Sequence, residues 1–169
     1  MDITLTQKER ILLEDQKSHE QTCIGKYASC ANQVSDEQLK QIFKANEQAE
    51  RNHLDTVNQL LGGTIPNINQ QGNQSSNQGM NTQQNNQSTQ QDNQGSNNNA
   101  QTASGLTEKD ICADLLSTEK YVSGTYNTAI FEFKDTRVRD ILNHIQKEEQ
   151  QHGEAIFQYM NNNGMYAAQ

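Results

Sequence analysis

The chain has 169 residues, of which 31% are hydrophobic, and carries a net charge of -8 from 13 basic and 21 acidic side chains. Charge is spread evenly, with 7 basic and 10 acidic groups in residues 1–61 and 6 and 10 in residues 106–169, so no basic face meets a phosphate backbone and nucleic acid is excluded as a partner. No apolar run approaches the length of a membrane span, which excludes membrane insertion; Met1-Asp2-Ile3-Thr4 lacks the basic and apolar regions of a signal peptide, so the chain is expected to be made and kept inside a cell.

The first element opens at Thr6-x-x-Glu9, a capping-box pattern, and its apolar stripe runs at helical spacing through Leu12/Leu13, Gln16, Cys23, Tyr27, Cys30 and Val34. A second helix starts in Ser35-Asp36-Glu37-Gln38, continues through Leu39, Ile42/Phe43, Asn46, Val57 and Leu60/Leu61, and ends at Gly62-Gly63. Residues 62–105 are almost entirely Asn, Gln, Ser, Gly and Thr, with Asp92 as the only charge, and are predicted to be a disordered linker because they cannot bury enough apolar surface. A coil of that length has a root-mean-square span of about 35 Å, enough to cross a bundle as a passive spacer.

A third helix is signalled by Thr107-x-x-Asp110 and the stripe Ile111/Cys112, Leu115, Val122, Tyr126, Ala129/Ile130 and Phe133. A fourth follows the cap Asp135 through Val138, Ile141/Leu142, Ile145, Ile156 and Met160 to Gly164. The predicted organisation is a first hairpin over 1–61, the linker over 62–105 and a second hairpin over 106–169, the two hairpins sharing one all-α core. The three cysteines, Cys23, Cys30 and Cys112, have no zinc spacing and an odd count, and read as small buried apolar residues.

The two hairpins are copies of each other. An offset of 99 aligns 12–53 with 111–152 without a gap and leaves nine identical pairs, Asp15/Asp114, Ser18/Ser117, Glu20/Glu119, Gly25/Gly124, Tyr27/Tyr126, Asp36/Asp135, Ile42/Ile141, Glu50/Glu149 and His53/His152. Chance would give roughly two or three, so the chain is read as a duplication.

Six of these residues interrupt the apolar stripes. Glu20 and Glu119 fall on the core faces of the first and third helices, Glu50-x-x-His53 and Glu149-x-x-His152 on those of the second and fourth. Glu20 lies about 22 Å before the first turn and Glu50 about 23 Å beyond it, so antiparallel packing brings Glu20, Glu50 and His53 to one level. Buried carboxylates must be paired, neutralised or bound to metal. One Glu from each of two helices plus Glu-x-x-His from each of the other two is the di-iron or di-manganese carboxylate pattern, and four carboxylates balance two divalent ions when both histidines are neutral. Tyr27 and Tyr126 read as buried core tyrosines, with contact to the ligands or a redox role as the sharper alternative. His19 and His144 fall off the stripes and read as surface residues, and Asp15 and Asp114 read as complements to their helix dipoles.

Leu115-Leu116-Ser117-Thr118-Glu119-Lys120, Tyr126-Asn127-Thr128-Ala129, Glu148-Glu149-Gln150-Gln151-His152 and Asn163-Gly164-Met165-Tyr166 resemble the Coat F family of spore coat proteins from endospore-forming bacteria. Leu13-Glu14-Asp15-x-Lys17-Ser18-His19-Glu20 and the run from His53 to Leu60 resemble the companion half in clostridial members. The resemblance implies a ferritin-like antiparallel four-helix bundle, a place in the spore coat after synthesis in the mother-cell cytoplasm, and other coat proteins or further copies of the chain as partners. The ligand pattern is similar to that of the wider ferritin-like superfamily, including rubrerythrins, bacterioferritins and manganese catalases. Carried over, it makes Glu20 and Glu119 terminal ligands, Glu50 and Glu149 bridging ligands, and His53 and His152 terminal nitrogen ligands of two iron or manganese ions. The long low-complexity linker and the lack of an appended rubredoxin-like cysteine site depart from that superfamily. The expected function is thus a structural coat protein with a di-metal site, and the alternative is a di-iron or di-manganese oxidoreductase acting on peroxide or oxygen.

Overall fold

The computed structural model describes residues 3–67 and 105–166. The disorder expected of the Gln/Asn-rich linker falls on 68–104, outside the described residues. Four α-helices are present among those described: α1 (Gln7–Gln33), α2 (Glu37–Leu61), α3 (Glu108–Glu132) and α4 (Thr136–Asn162). Each starts at a side chain that accepts a backbone N–H of the first turn. Thr6 and Thr107 form reciprocal capping boxes with Glu9 and Asp110, while Asp36 accepts from Leu39 and Asp135 from Arg137. Gly63 and Gly164, with φ of 85° and 66°, turn the chain just beyond α2 and α4, where a side chain would be strained.

Contacts between the hairpins set the topology. Gln16 Oε1 accepts from Thr125 at 3.0 Å, Lys26 Nζ pairs with Asp114 at 2.7 Å, and Lys8 pairs with Glu132. Early residues of α1 thus meet late residues of α3, so the two run antiparallel. Since α1 packs on α2 and α3 on α4 within the hairpins, the order is up-down-down-up, the one-long-crossover arrangement expected from the sequence. The Lys26 contact gives Asp114 a partner on the other hairpin that its helix position did not suggest.

The duplication extends to a pair of reciprocal staples. Glu108, at the start of α3, accepts from the backbone N–H of Ser35 at 2.7 Å and of Asp36 at 3.1 Å in the α1–α2 turn. Its counterpart 99 residues earlier, Glu9, accepts from the backbone N–H of Lys134 at 3.1 Å in the α3–α4 turn. Glu9 also closes the Thr6 capping box with its other oxygen, at 2.7 Å, whereas in the second hairpin Asp110 takes that task.

Apolar packing occupies both ends of the bundle. Tyr27, Leu39, Phe43, Leu115, Ile156 and Met160 belong to one cluster beside the α1–α2 turn. Toward the opposite end Leu13, Val57, Leu60, Phe133, Val138 and Leu142 are buried. Cys23 and Cys112 are buried and Cys30 half-buried, all as free thiols. Between the two apolar ends lies a buried polar layer.

Candidate metal centre

All six stripe-breaking residues meet in that layer. Glu20, Glu50 and Glu149 are fully buried, and His53, Glu119 and His152 are nearly so. The two imidazoles stack at a centroid distance of 5.6 Å, each turning Nδ1 toward the carboxylates. His53 Nδ1 lies 3.0 Å from Glu149 Oε1, 3.1 Å from Glu50 Oε2 and 3.7 Å from Glu20 Oε2. His152 Nδ1 lies 3.1 Å from Glu50 Oε1, 3.6 Å from Glu149 Oε2 and 3.7 Å from Glu119 Oε2. Glu50 and Glu149 therefore each direct one oxygen to one histidine and the second oxygen to the other, while Glu20 faces only His53 and Glu119 only His152.

Groups beyond the six hold this arrangement. Tyr27 donates its hydroxyl to Glu119 and Tyr126 donates to Glu20, each reaching the carboxylate of the other hairpin. Asn46 Nδ2 donates to Tyr27 Oη at 3.0 Å. The tyrosines thus contact the candidate ligands directly, the sharper of the two roles read from the sequence. Glu148 Oε2 stands 3.0 Å from His53 Nε2, and His144 Nε2 stands 3.5 Å from the same carboxylate oxygen. Accordingly, His144 is half-buried, outside the cluster but one residue removed from it. His19 is also half-buried, edge-on to Tyr121 at 5.5 Å.

Sequence reasoning gave Glu148 no role, because its counterpart in the first hairpin is Ala49 and the repeat carries no echo of it. The available signal was its place next to Glu149, on the flank of the helix that faces α2.

Metal-free, the layer can balance its charge only by taking up protons. Burial pushes the Glu20 carboxyl well above its ordinary range, and burial with the nearby Glu149 carboxylate pushes Glu119 up to about 8. Burial also opposes ionisation at Glu50 and Glu149, but hydrogen bonding to His152 and His53 outweighs it and holds both low. At the histidines burial favours the neutral ring, yet the surrounding carboxylates prevail and raise both well above their usual value. Even so, Glu20 Oε2, Glu119 Oε2 and Glu149 Oε2 stand 3.7, 3.7 and 3.6 Å from the imidazole nitrogen each faces, beyond hydrogen-bond reach, and have no other protein donor.

The residues fit a pair of divalent ions. Ligand atoms of Glu20, Glu50, His53 and Glu149 lie within 4.8 Å of one another, as do those of Glu50, Glu119, Glu149 and His152. Oxygen and nitrogen ligands about 2.1 Å from an ion stand roughly 3.0–3.4 Å apart, close to the spacings around each Nδ1. The orphaned oxygens are on the residues that such ions would engage.

Residues 107–169 match the family model of the Coat F domain. The second hairpin is thus similar to the Coat F domain. The match begins at the cap of α3 and takes in three of the six clustered residues, Glu119, Glu149 and His152; residues 1–106 lie outside it. No curated protein and no solved structure matches the chain. No helix among the described residues is long and apolar enough to cross a membrane.

Proposed function

We propose that the chain is a structural protein of the bacterial spore coat whose bundle holds a two-metal carboxylate centre. The match of the second hairpin to the Coat F model supports the coat role; other coat proteins as partners and synthesis in the mother-cell cytoplasm belong to the same reading. The observation that carries the centre is the two-way presentation of Glu50 and Glu149, each offering one oxygen to either histidine side. Glu20 with His53 would complete one position and Glu119 with His152 the other, with iron or manganese as the ions. Once bound, such ions supply Lewis acidity and one-electron chemistry.

The protein groups prepare the ligands. Glu148 fixes the His53 ring by engaging Nε2, so that Nδ1 points to the carboxylates. Tyr27 and Tyr126 hold Glu119 and Glu20 from across the bundle.

The test is elemental analysis of the full chain after exposure to iron(II) or manganese(II) and removal of free metal. Two ions per chain are expected, with none retained by Glu149→Ala. A metal content near zero in the parent rejects the centre. Absence of the protein from coat extracts of purified spores rejects the coat role.

A further inference from the structure

The duplication is broken on one flank of the centre. A cavity of about 420 Å³ reaches inward between α3 and α4 to Glu119 and Glu149, with Leu116, Gly153, Phe157 and Tyr166 among its walls. Gly153 is mid-helix and buried, with no turn requiring it, and a Cβ there would point toward Leu116 Cδ1 at 3.4 Å and Glu119 Cβ at 3.8 Å. The first hairpin carries Leu54 at the position of Gly153 and Ile24 at that of Ser123, which also lines the cavity. Side-chain volume present beside Glu20 and Glu50 is thus withheld beside Glu119 and Glu149.

The cavity has a definite chemical character. Leu116, Phe157 and Tyr166 give it apolar walls, and the two rings meet edge to face at a centroid distance of 5.0 Å while remaining partly exposed at 39% and 44%. Its floor is polar, for Glu119 Oε2 and, on the fully buried Glu149, Oε2 stand 3.7 and 3.6 Å from His152 Nδ1 and lack a protein donor. A pocket of this size, mostly apolar with a few convergent polar atoms, suits a small organic molecule. We propose that it binds a small aromatic alcohol, with the ring between Leu116, Phe157 and Tyr166 and the hydroxyl at the carboxylate floor. In the metal-free protein the hydroxyl donates to an orphaned oxygen. In the loaded protein, a step that rests on the two-metal reading, the same end approaches the Glu119–His152 side.

Fluorine NMR of para-fluorophenol with the full chain tests this in two arms. In the metal-free protein the probe line should broaden on binding, and Gly153→Leu should weaken binding at least about tenfold, or ~1.4 kcal/mol. Ser123→Ile, which restores the first hairpin's residue, should act in the same direction and serves if the leucine variant does not fold. In the manganese(II)-loaded protein the line should broaden further, in excess of free metal, and chelation should remove the excess. Binding by folded variants equal to the parent's, or no binding by the parent, overturns the cavity assignment. Manganese uptake without extra broadening overturns its orientation toward the centre. Failure to take up either manganese(II) or iron(II) rejects the two-metal reading alone and leaves the metal-free arm to decide the cavity.

Discussion

Metal loading should expel protons, and their number follows from the polar layer. In the metal-free chain the raised carboxyls of Glu20 and Glu119 are protonated near neutral pH, and the raised imidazoles of His53 and His152 are cationic. Glu50 and Glu149 remain ionised, so the six residues sum to no net charge. Two divalent ions require four carboxylates and two neutral imidazoles, which again sum to zero. One proton must leave from each of Glu20, Glu119, His53 and His152, giving about four protons per pair of ions. Because protons and metal compete, apparent affinity should fall as pH falls, steeply once pH drops below about 8, where Glu119 regains its proton. Titration of metal into weakly buffered protein at constant pH counts the base consumed, and calorimetry in buffers of different ionisation enthalpy gives an independent count. Tight binding of two ions with release of about one proton or fewer would refute this charge assignment.

Glu9→Ala removes a capping box and the staple to the α3–α4 turn from a side chain only 3% exposed, and should cost roughly 1–3 kcal/mol in urea unfolding. Burial raises the Glu9 carboxyl, but bonds from the Thr6 and Lys134 backbone outweigh it and hold it below its ordinary value; its contribution is therefore present above the unfolded value and lost as pH falls, so the variant's deficit should shrink as pH drops through the acid range. Gly153→Ala should stabilise the chain by about 0.5–1 kcal/mol, seen as a higher Tm, because a methyl meets Leu116 at ordinary contact distance and the helix gains propensity. Tyr27→Phe leaves Glu119 without its donor and Asn46 without its acceptor, and should cost about 1–3 kcal/mol in unfolding measured with chelator present.

The helix starts were legible because each is local, as a Thr or Asp reaches a backbone N–H two or three residues on. The clustering of the six centre residues was legible for a different reason, since recurrence at one offset and equal height along antiparallel helices required no knowledge of side-chain geometry. What escaped depends on which hairpin faces which. Spacing places Tyr27 two turns from Glu20, about 10 Å away on its own helix, yet antiparallel packing of α1 on α3 puts its hydroxyl on Glu119. The same crossing makes Glu9 and Glu108 staples to the opposite turns. Glu148 has no counterpart, and the Gly153 cavity exists only as a difference between the copies, so recurrence at one offset marks neither.

The second hairpin by itself supplies only three of the six clustered residues, Glu119, Glu149 and His152, which leads to a final prediction. Glu149 faces His53 and His152 at once, and Glu50 does the same, so neither hairpin alone can place a carboxylate between two histidines. Isolated residues 105–169 would expose Leu115, Val122, Ile145 and Ile156 together with three unpartnered polar groups. The duplication offers a remedy, since a second copy presents Glu119, Glu149 and His152 where the first hairpin presents Glu20, Glu50 and His53. Glu108 of one copy would meet the turn residue Lys134 of the other, and Tyr126 would meet Glu119. The isolated hairpin should therefore sediment as a symmetric dimer, with helicity that falls on dilution and is protected by manganese(II) or iron(II). A helical monomer at all concentrations, indifferent to metal, would mean that the two halves do not need each other.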